Sequence, residues 1–161
     1  MATIDGVWDC VSSTPMGDQK SVMTLKCHGE TVTIGSSFGV MGRDLQAPYA
    51  TSKAAVIHMT RCLAIDLGSG GVRVNCVCPG LVDTPLTDFL QDPSMKELAA
   101  AHHAAHAFNR AGRPEEIADV IVFLLSDQAR LVSGQAISVD GGYSAGKWLG
   151  TPPGRPKRPL R

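Results

Sequence analysis

From Thr31 to Val139 short apolar runs alternate with helical stretches, and that alternation leaves few folds open. Thr31-Val32-Thr33-Ile34, the run 72–77 and Ala136-Ile137-Ser138-Val139 have the length and β-branched content of buried strands. Between the first two, an Ala- and Leu-rich stretch over 49–67 follows Pro48 and stops at Gly68-Ser69-Gly70-Gly71, the punctuation of a helix. Thr84-Pro85 opens a helical stretch that breaks near Asp92-Pro93 and continues through Ala107. Pro114-Glu115-Glu116 starts another helix, with Pro at N1 and acids in the first turn. Its apolar stripe is Ile117, Val120, Ile121, Leu124 and Leu125. Strands separated by helices predict an α/β fold, a parallel sheet with crossover connections.

The first thirty residues read differently. Residues 7–11 form one strand, with Trp8 as core packing, and Thr14-Pro15-Met16-Gly17-Asp18 supplies turn chemistry. Residues 21–26 alternate polar and apolar, and His28-Gly29-Glu30 makes a hairpin loop into Thr31. Strand 20–26 is expected to pair antiparallel with 31–35 and so cover an otherwise open sheet edge.

A chain of 161 residues and 17.0 kDa is one domain at most, and 43% hydrophobic with 19% charged residues is an ordinary globular composition. Formal charge is zero overall but uneven. Lys147, Arg155, Lys157, Arg158 and Arg161 follow the last acid, Asp140, so residues 1–146 hold ten basic against fifteen acidic residues, a net of −5. This balance argues against nucleic-acid or membrane partners. Residues 150–161 carry four prolines and two glycines, so 147–161 is expected to be a disordered basic tail, with Trp148 loosely held. No apolar run approaches the ~20 residues of a membrane span, and no signal-peptide pattern opens the chain. Five cysteines, an odd number, favour a reducing cytoplasm. Cys76-Val77-Cys78, followed by Pro79, offers no zinc ligand set and reads as buried thiols. His102 and His106 share one helical face and read as a solvated face, a substrate-facing pair or, least of all, a metal site.

Chemistry concentrates between Ser36 and Lys53. Tyr49 and Lys53, at i and i+4, share one face of a helix, and Ser36 lies thirteen residues before Tyr49. An ammonium beside a phenol favours its ionised form, and a nearby hydroxyl can hold a substrate oxygen. Such a trio suits moving a proton to or from a carbonyl or alcohol while a hydride moves at the adjacent carbon.

Tyr49-x-x-x-Lys53 has companions. Thr33-Ile34-Gly35-Ser36-Ser37 precedes it, and Asn75-Cys76-Val77-Cys78-Pro79-Gly80-Leu81-Val82-Asp83-Thr84 follows. Gly112-Arg113-Pro114-Glu115-Glu116-Ile117-Ala118 and Val139-Asp140-Gly141-Gly142 complete the series. In this order and spacing they resemble the C-terminal half of the short-chain dehydrogenase/reductases, over residues 31–146. The resemblance implies an NAD- or NADP-dependent Rossmann enzyme acting on a small alcohol or carbonyl substrate. It assigns Ser36 to the substrate oxygen, with Ser37 a less favoured alternate, Tyr49 to acid/base catalysis and Lys53 to the nicotinamide ribose. Pro79, Gly80, Val82 and Thr84 would line the nicotinamide. Strand-end or N-cap duty is the plainer reading of Ser36 and Thr84, compatible with the other.

The family's first βαβ unit, with its T-G-x-x-x-G-x-G phosphate loop, has no counterpart in these residues. Gly68-Ser69-Gly70-Gly71 follows a helix and precedes a strand, the wrong order for that loop. Three regions are therefore expected. An unrelated β-hairpin segment, 1–30, joins 31–146, a truncated Rossmann-like sheet with equivalents of strands 5, 6 and 7, and then the tail at 147–161. Cofactor affinity is expected to be weakened or lost. Three functions compete: a family-type oxidoreductase, a non-catalytic remnant pairing with full-length relatives through helix 49–67 and the last strand, and a small-ligand binder built on the N-terminal β segment.

Overall fold

The computed structural model describes residues 7–14, 17–27 and 29–146. The expected tail at 147–161, including Trp148, lies outside them. Five strands form one sheet in the order β1-β2-β3-β4-β5: β1 (Val7–Thr14), β2 (Gly17–Cys27), β3 (Glu30–Ile34), β4 (Val74–Pro79) and β5 (Ala136–Val139). β1 runs antiparallel to β2, and β2 antiparallel to β3 through pairs such as Leu25 with Val32. The last three strands are parallel, with Thr33 opposite Cys76 and Cys76 opposite Ala136.

The parallel part is α/β because helices return the chain across both faces. Between β3 and β4 come α1 (Ser37–Val40) and α2 (Ala47–Gly68). The buried residues of α2 are Lys53, Val56, Ile57 and Thr60, spaced i, i+3, i+4, i+7 as one helical stripe. Val56 and Ile57 pack on Cys76, Cys78 and Ala136. On the opposite face α4 (Pro114–Leu125) lays Ile121, Leu124 and Leu125 over Val32 and Val77. β4 is covered on both sides, so five of its six residues are buried, and Asn75 alone interrupts its apolar run.

Buried polar side chains fasten these layers. Arg73 donates to the Leu124 and Ser126 carbonyls at 2.7 and 3.1 Å, closing the C-terminal end of α4, and pairs with Glu30 at 3.4 Å. Asn75 donates to the Val132 carbonyl (2.8 Å) and accepts from the Gln135 N–H (3.1 Å), which sets the approach to β5.

Two expectations shift. The strand expected over 72–77 is β4 at Val74–Pro79, because Gly71 takes a positive φ of 78° and the Val72 N–H still closes back on the Leu67 carbonyl. The helical stretch expected through Ala107 starts as 3-10 turns, Pro85–Gln91 and Pro93–Met95, and becomes α-helical only in α3 (Lys96–Ala104). The prolines at 85 and 93 enforce starts, and Thr84 and Asp92 hold extended backbone before each.

Candidate active site

β3 ends at Ile34, and Gly35 turns the chain under the sheet's rim. Ser36 then caps α1, its Oγ accepting from the Phe38 N–H at 3.2 Å. That bond uses one lone pair of a 7%-exposed hydroxyl and leaves its own proton to donate. Tyr49 sits in the first turn of α2, half-buried. One turn on, Lys53 is only 4% exposed; its Nζ donates to the Ile34 carbonyl at 3.1 Å and lies 5.7 Å from the Tyr49 ring centre. Burial lowers the Lys53 pKa below the ordinary lysine value, and the facing Cys76 and Cys78 sulfurs partly oppose that.

An aromatic rim closes around this centre. Phe38 meets Tyr49 edge-on at 6.3 Å and Tyr143 at 5.9 Å, and the Arg43 guanidinium stacks 5.0 Å over Phe38. Tyr143 lies 4.8 Å from the His106 ring. It is carried by the turn after β5, where the buried Asp140 carboxylate accepts from the Gly142 and Ser144 N–H groups.

Pro79, Gly80, Val82 and Thr84 lie on the segment leaving β4. Pro79 pairs with Val139, and the Gly80 N–H reaches the Val139 carbonyl at 3.3 Å. Val82 makes a parallel bridge to Gly112. Thr87 Oγ1 accepts from the Thr84 N–H (3.0 Å) and donates toward the Val82 carbonyl (2.8 Å), fixing the end of the segment. A cavity of about 620 Å³ between this segment and α3 is lined by Leu81, Asp83, Thr87, His103 and Arg113, among others. Ser36, Tyr49 and Lys53 do not line it.

The histidines depart from the sequence reading. α3 ends at Ala104, so His106 leaves the helical face it was expected to share and is 5% exposed. Its Nε2 accepts from the Leu81 N–H at 3.2 Å and its Nδ1 donates to the His102 carbonyl at 2.8 Å. His106 therefore anchors the 80–84 segment. His102 accepts from Arg43 across 3.1 Å, tying α3 to the loop after α1; its pKa is lowered by burial first and the Arg43 charge second.

Cys76 and Cys78 are the buried thiols that the sequence predicts. Cys62 is exposed, whereas Cys76 and Cys78 are buried with sulfurs 3.8 Å apart. The two thiols share a hydrogen bond, which pushes Cys76 down and Cys78 up. Nothing in the spacing of residues announced Tyr143 or Arg43 as neighbours of the site; Asp140 was visible inside Val139-Asp140-Gly141-Gly142, and His106 only through its spacing from His102.

The sequence pattern of the enoyl-(acyl carrier protein) reductase family matches residues 10–144. That match starts inside the segment expected to be unrelated, so the family pattern reaches N-terminal of Thr31. The 2-(S)-hydroxypropyl-CoM dehydrogenase 3 of Xanthobacter autotrophicus is 41% identical over 73% of this chain and 47% of its own length. The 3-oxoacyl-[acyl-carrier-protein] reductase FabG of Thermotoga maritima is 42% identical over 71% and 45%. A solved 4-hydroxyisoleucine dehydrogenase complexed with NADH superposes with a TM-score of 0.65 at 33% identity, over 72% of this chain and 47% of that one. The chain spans about half the length of the curated relatives it matches. Among the described residues no helix is long and apolar enough to cross a membrane.

Proposed function

Because the chain belongs to the short-chain dehydrogenase/reductase family, we propose that it contributes the proton-transfer centre of an NAD(P)-dependent interconversion of a small alcohol and its carbonyl. The observation that carries this reading is the Lys53 ammonium, buried between the end of β3 and the Tyr49 ring. A buried cation is costly unless something exploits it, and here it stands one helical turn from a phenol.

In the reducing direction the Ser36 O–H donates to the carbonyl oxygen, the proton left over from its capping bond. Tyr49 gives its phenolic proton to that oxygen as negative charge develops there. Lys53 stabilises the phenolate left behind and offers N–H donors to a ribose. Pro79, Gly80, Val82 and Thr84 line the nicotinamide face, held in shape by Thr87 and His106. These residues suit a nicotinamide nucleotide: a cation, a hydroxyl and an ordered backbone segment converge at one end of the parallel strands. When bound, NAD(P)H supplies the hydride.

Among the described residues no glycine-rich turn leads into a helix N-terminus: Gly68 ends α2 and Gly39 lies inside α1. These residues alone therefore bind NAD or NADP weakly. Titration with NADH and NADPH, followed by nicotinamide fluorescence, tests this. Micromolar binding (about −8 kcal/mol) would refute the weak-affinity reading and make turnover of the chain itself the next assay. Any turnover must fall sharply in Tyr49→Phe; an unchanged rate overturns Tyr49 as the proton donor.

A second reading has its own support. α2 turns Met59, Ile65 and Leu67 outward, 42%, 80% and 42% exposed, which favours a chain that pairs with a copy of itself or a relative through that helix. A chain that sediments as a monomer at all concentrations sinks it. A cytoplasmic setting fits either reading.

A further inference from the structure

Arg43 brings a poorly neutralised charge to the rim of the proposed centre. It lies in the loop between α1 and α2, with a side chain only 27% exposed. A cation withdrawn that far from water is costly unless an anion meets it. Among the described residues the acid that approaches is Asp44, 3.9 Å from Nε, and that side chain is 89% exposed, where solvent screens the pair. The other contacts of the guanidinium carry no negative charge. Nη2 donates to His102 Nε2, which must be neutral to accept, and the Phe38 ring lies 5.0 Å beneath.

Those two contacts fix the fork in one orientation, so an arriving anion has little left to order. Among the described residues both Nη1 hydrogens lack an acceptor. No fully buried side-chain nitrogen or oxygen there is without a partner, so Nη1 opens on solvent. Position ties this charge to the chemistry. Phe38 carries Arg43 on its face, meets Tyr49 edge-on and follows Ser36 by two residues. Contacts run from Phe38 through Tyr143, His106 and His102 back to Arg43, so the guanidinium completes the rim.

On the footing that Ser36 and Tyr49 hold the reacting oxygen, we propose that Arg43 binds a carboxylate carried by the same substrate. The substrate is then a short oxo acid or hydroxy acid rather than a neutral carbonyl or alcohol. A planar carboxylate accepts two parallel N–H bonds from a guanidinium. A phosphate brings nearly two charges to one cation beside Asp44 and fits less well. Arg43 and Tyr49 rest against one ring, so a few carbon atoms between carboxylate and carbonyl bridge them. A guanidinium that merely ties α3 to the loop would treat charged and neutral ligands alike.

The test titrates the isotope-labelled full chain with levulinate, a short oxo acid, and separately with its methyl ester, which keeps the carbonyl and removes the charge. NMR shifts report affinity and the residues touched. Levulinate should bind about tenfold or more tightly than the ester, as a hydrogen-bonded charge implies, and should move the Arg43 Nε and Phe38 ring signals. Arg43→Gln should erase that preference by weakening the acid and sparing the ester, and Arg43→Lys should restore part of it. The proposal falls if acid and ester bind the parent chain equally, if Arg43→Gln weakens both alike, or if levulinate is unbound at roughly 10 mM. The comparison on the parent chain decides the matter if Arg43→Gln fails to fold. Failure of the proton-transfer reading looks different: levulinate then moves Arg43 and leaves Ser36 and Tyr49 still, and the carboxylate site stands without the reaction. An ester that moves Ser36 and Tyr49 as strongly as the acid does, with equal affinity, keeps the reaction centre and overturns the carboxylate site.

Discussion

Replacing Gly39 with alanine drives a methyl carbon into the contact between α1 and α2. A Cβ at this position would lie 2.7 Å from the Lys53 carbonyl carbon, 2.9 Å from the Ala54 nitrogen and 2.9 Å from the Lys53 Cβ. Two of the three are backbone atoms in the middle of a 22-residue helix, so no side-chain rotation relieves the clash. Reaching an ordinary carbon contact of ~3.5 Å requires a shift of about 0.8 Å. The four-residue α1 is the lighter partner and gives way, carrying Ser36, its cap, away from Tyr49 and Lys53.

Overpacking of this kind costs about 1–3 kcal/mol, while alanine in place of a helical glycine returns up to ~1 kcal/mol. The clash wins, by about 1–2 kcal/mol net, which is a fall in Tm of roughly 2–8 °C for a chain of this size. Urea unfolding followed by circular dichroism reads the difference. Gly42→Ala is the control: its added Cβ meets nothing within 4 Å, so it should leave stability unchanged or raise it slightly. A Gly39→Ala chain as stable as the parent would refute the close approach of α1 to α2 at Lys53, and with it the positioning of Ser36.

Further outcomes follow from other contacts. Arg73→Met strips the donors from the Leu124 and Ser126 carbonyls and should cost about 2–3 kcal/mol; a urea midpoint equivalent to less than ~1 kcal/mol would contradict the clamp on α4. His102 accepts from Arg43 only when neutral, and burial and Arg43 lower its pKa from the ordinary 6.5. The unfolded chain then binds the proton more readily, so this contribution is complete above 6.5 and fades as pH falls through the lower folded value. Hydrogen exchange in α3 should quicken over that range; His103 and His106 are the other titratable groups acting on His102, and Asp44 pairs with Arg43 at 3.9 Å. His102→Gln should flatten the response, and an α3 indifferent to pH would dismiss it. Arg110 first, then the Arg113 N–H, hold the Glu116 pKa down to about 2. Its stabilising contribution is therefore full above the ordinary 4.5 and lost as pH drops toward 2, and a carboxyl NMR midpoint at the ordinary value would contradict the pair.

Much of the α/β part was legible because it is written in local signals. α2 is bracketed by Pro48 and the Gly68-Ser69-Gly70-Gly71 stop, and α4 announces its start with Pro114 and two acids and its buried face with an apolar stripe. Ser36, Tyr49 and Lys53 were visible for a related reason, since eighteen positions of one strand–helix unit hold them all. What stayed hidden depends on distant partners. Arg73 and Asn75 looked like ordinary strand residues, yet their carbonyl partners lie more than fifty residues on. His106 was misplaced because a helix taken through Ala107 keeps it on one face with His102, whereas the real end at Ala104 swings it under Leu81. The 3-10 form of 85–95 was equally unreadable, since Pro and Asp mark where a helical turn begins without choosing its pitch.

The same locality separates two properties that an intact oxidoreductase joins. The proposed proton-transfer trio needs only β3, α1 and α2: the Ile34 carbonyl seats Lys53, the Phe38 N–H seats Ser36, and the Phe38 ring steadies Tyr49. The binding segment 79–84 needs β5 and the residues after it, through Val139, His106 and Gly112. Neither set supplies backbone N–H groups gathered for a pyrophosphate, and orientation of a hydride donor depends on that anchor. Substitutions at Ser36 or Tyr49 should therefore alter proton chemistry while leaving nucleotide affinity nearly unchanged, and loss of His106 should do the reverse. His106→Ala, which removes the acceptor of the Leu81 N–H, is the sharper arm. If it impairs proton transfer as much as nucleotide binding, the two halves of the site are one mechanical unit and the separation is wrong.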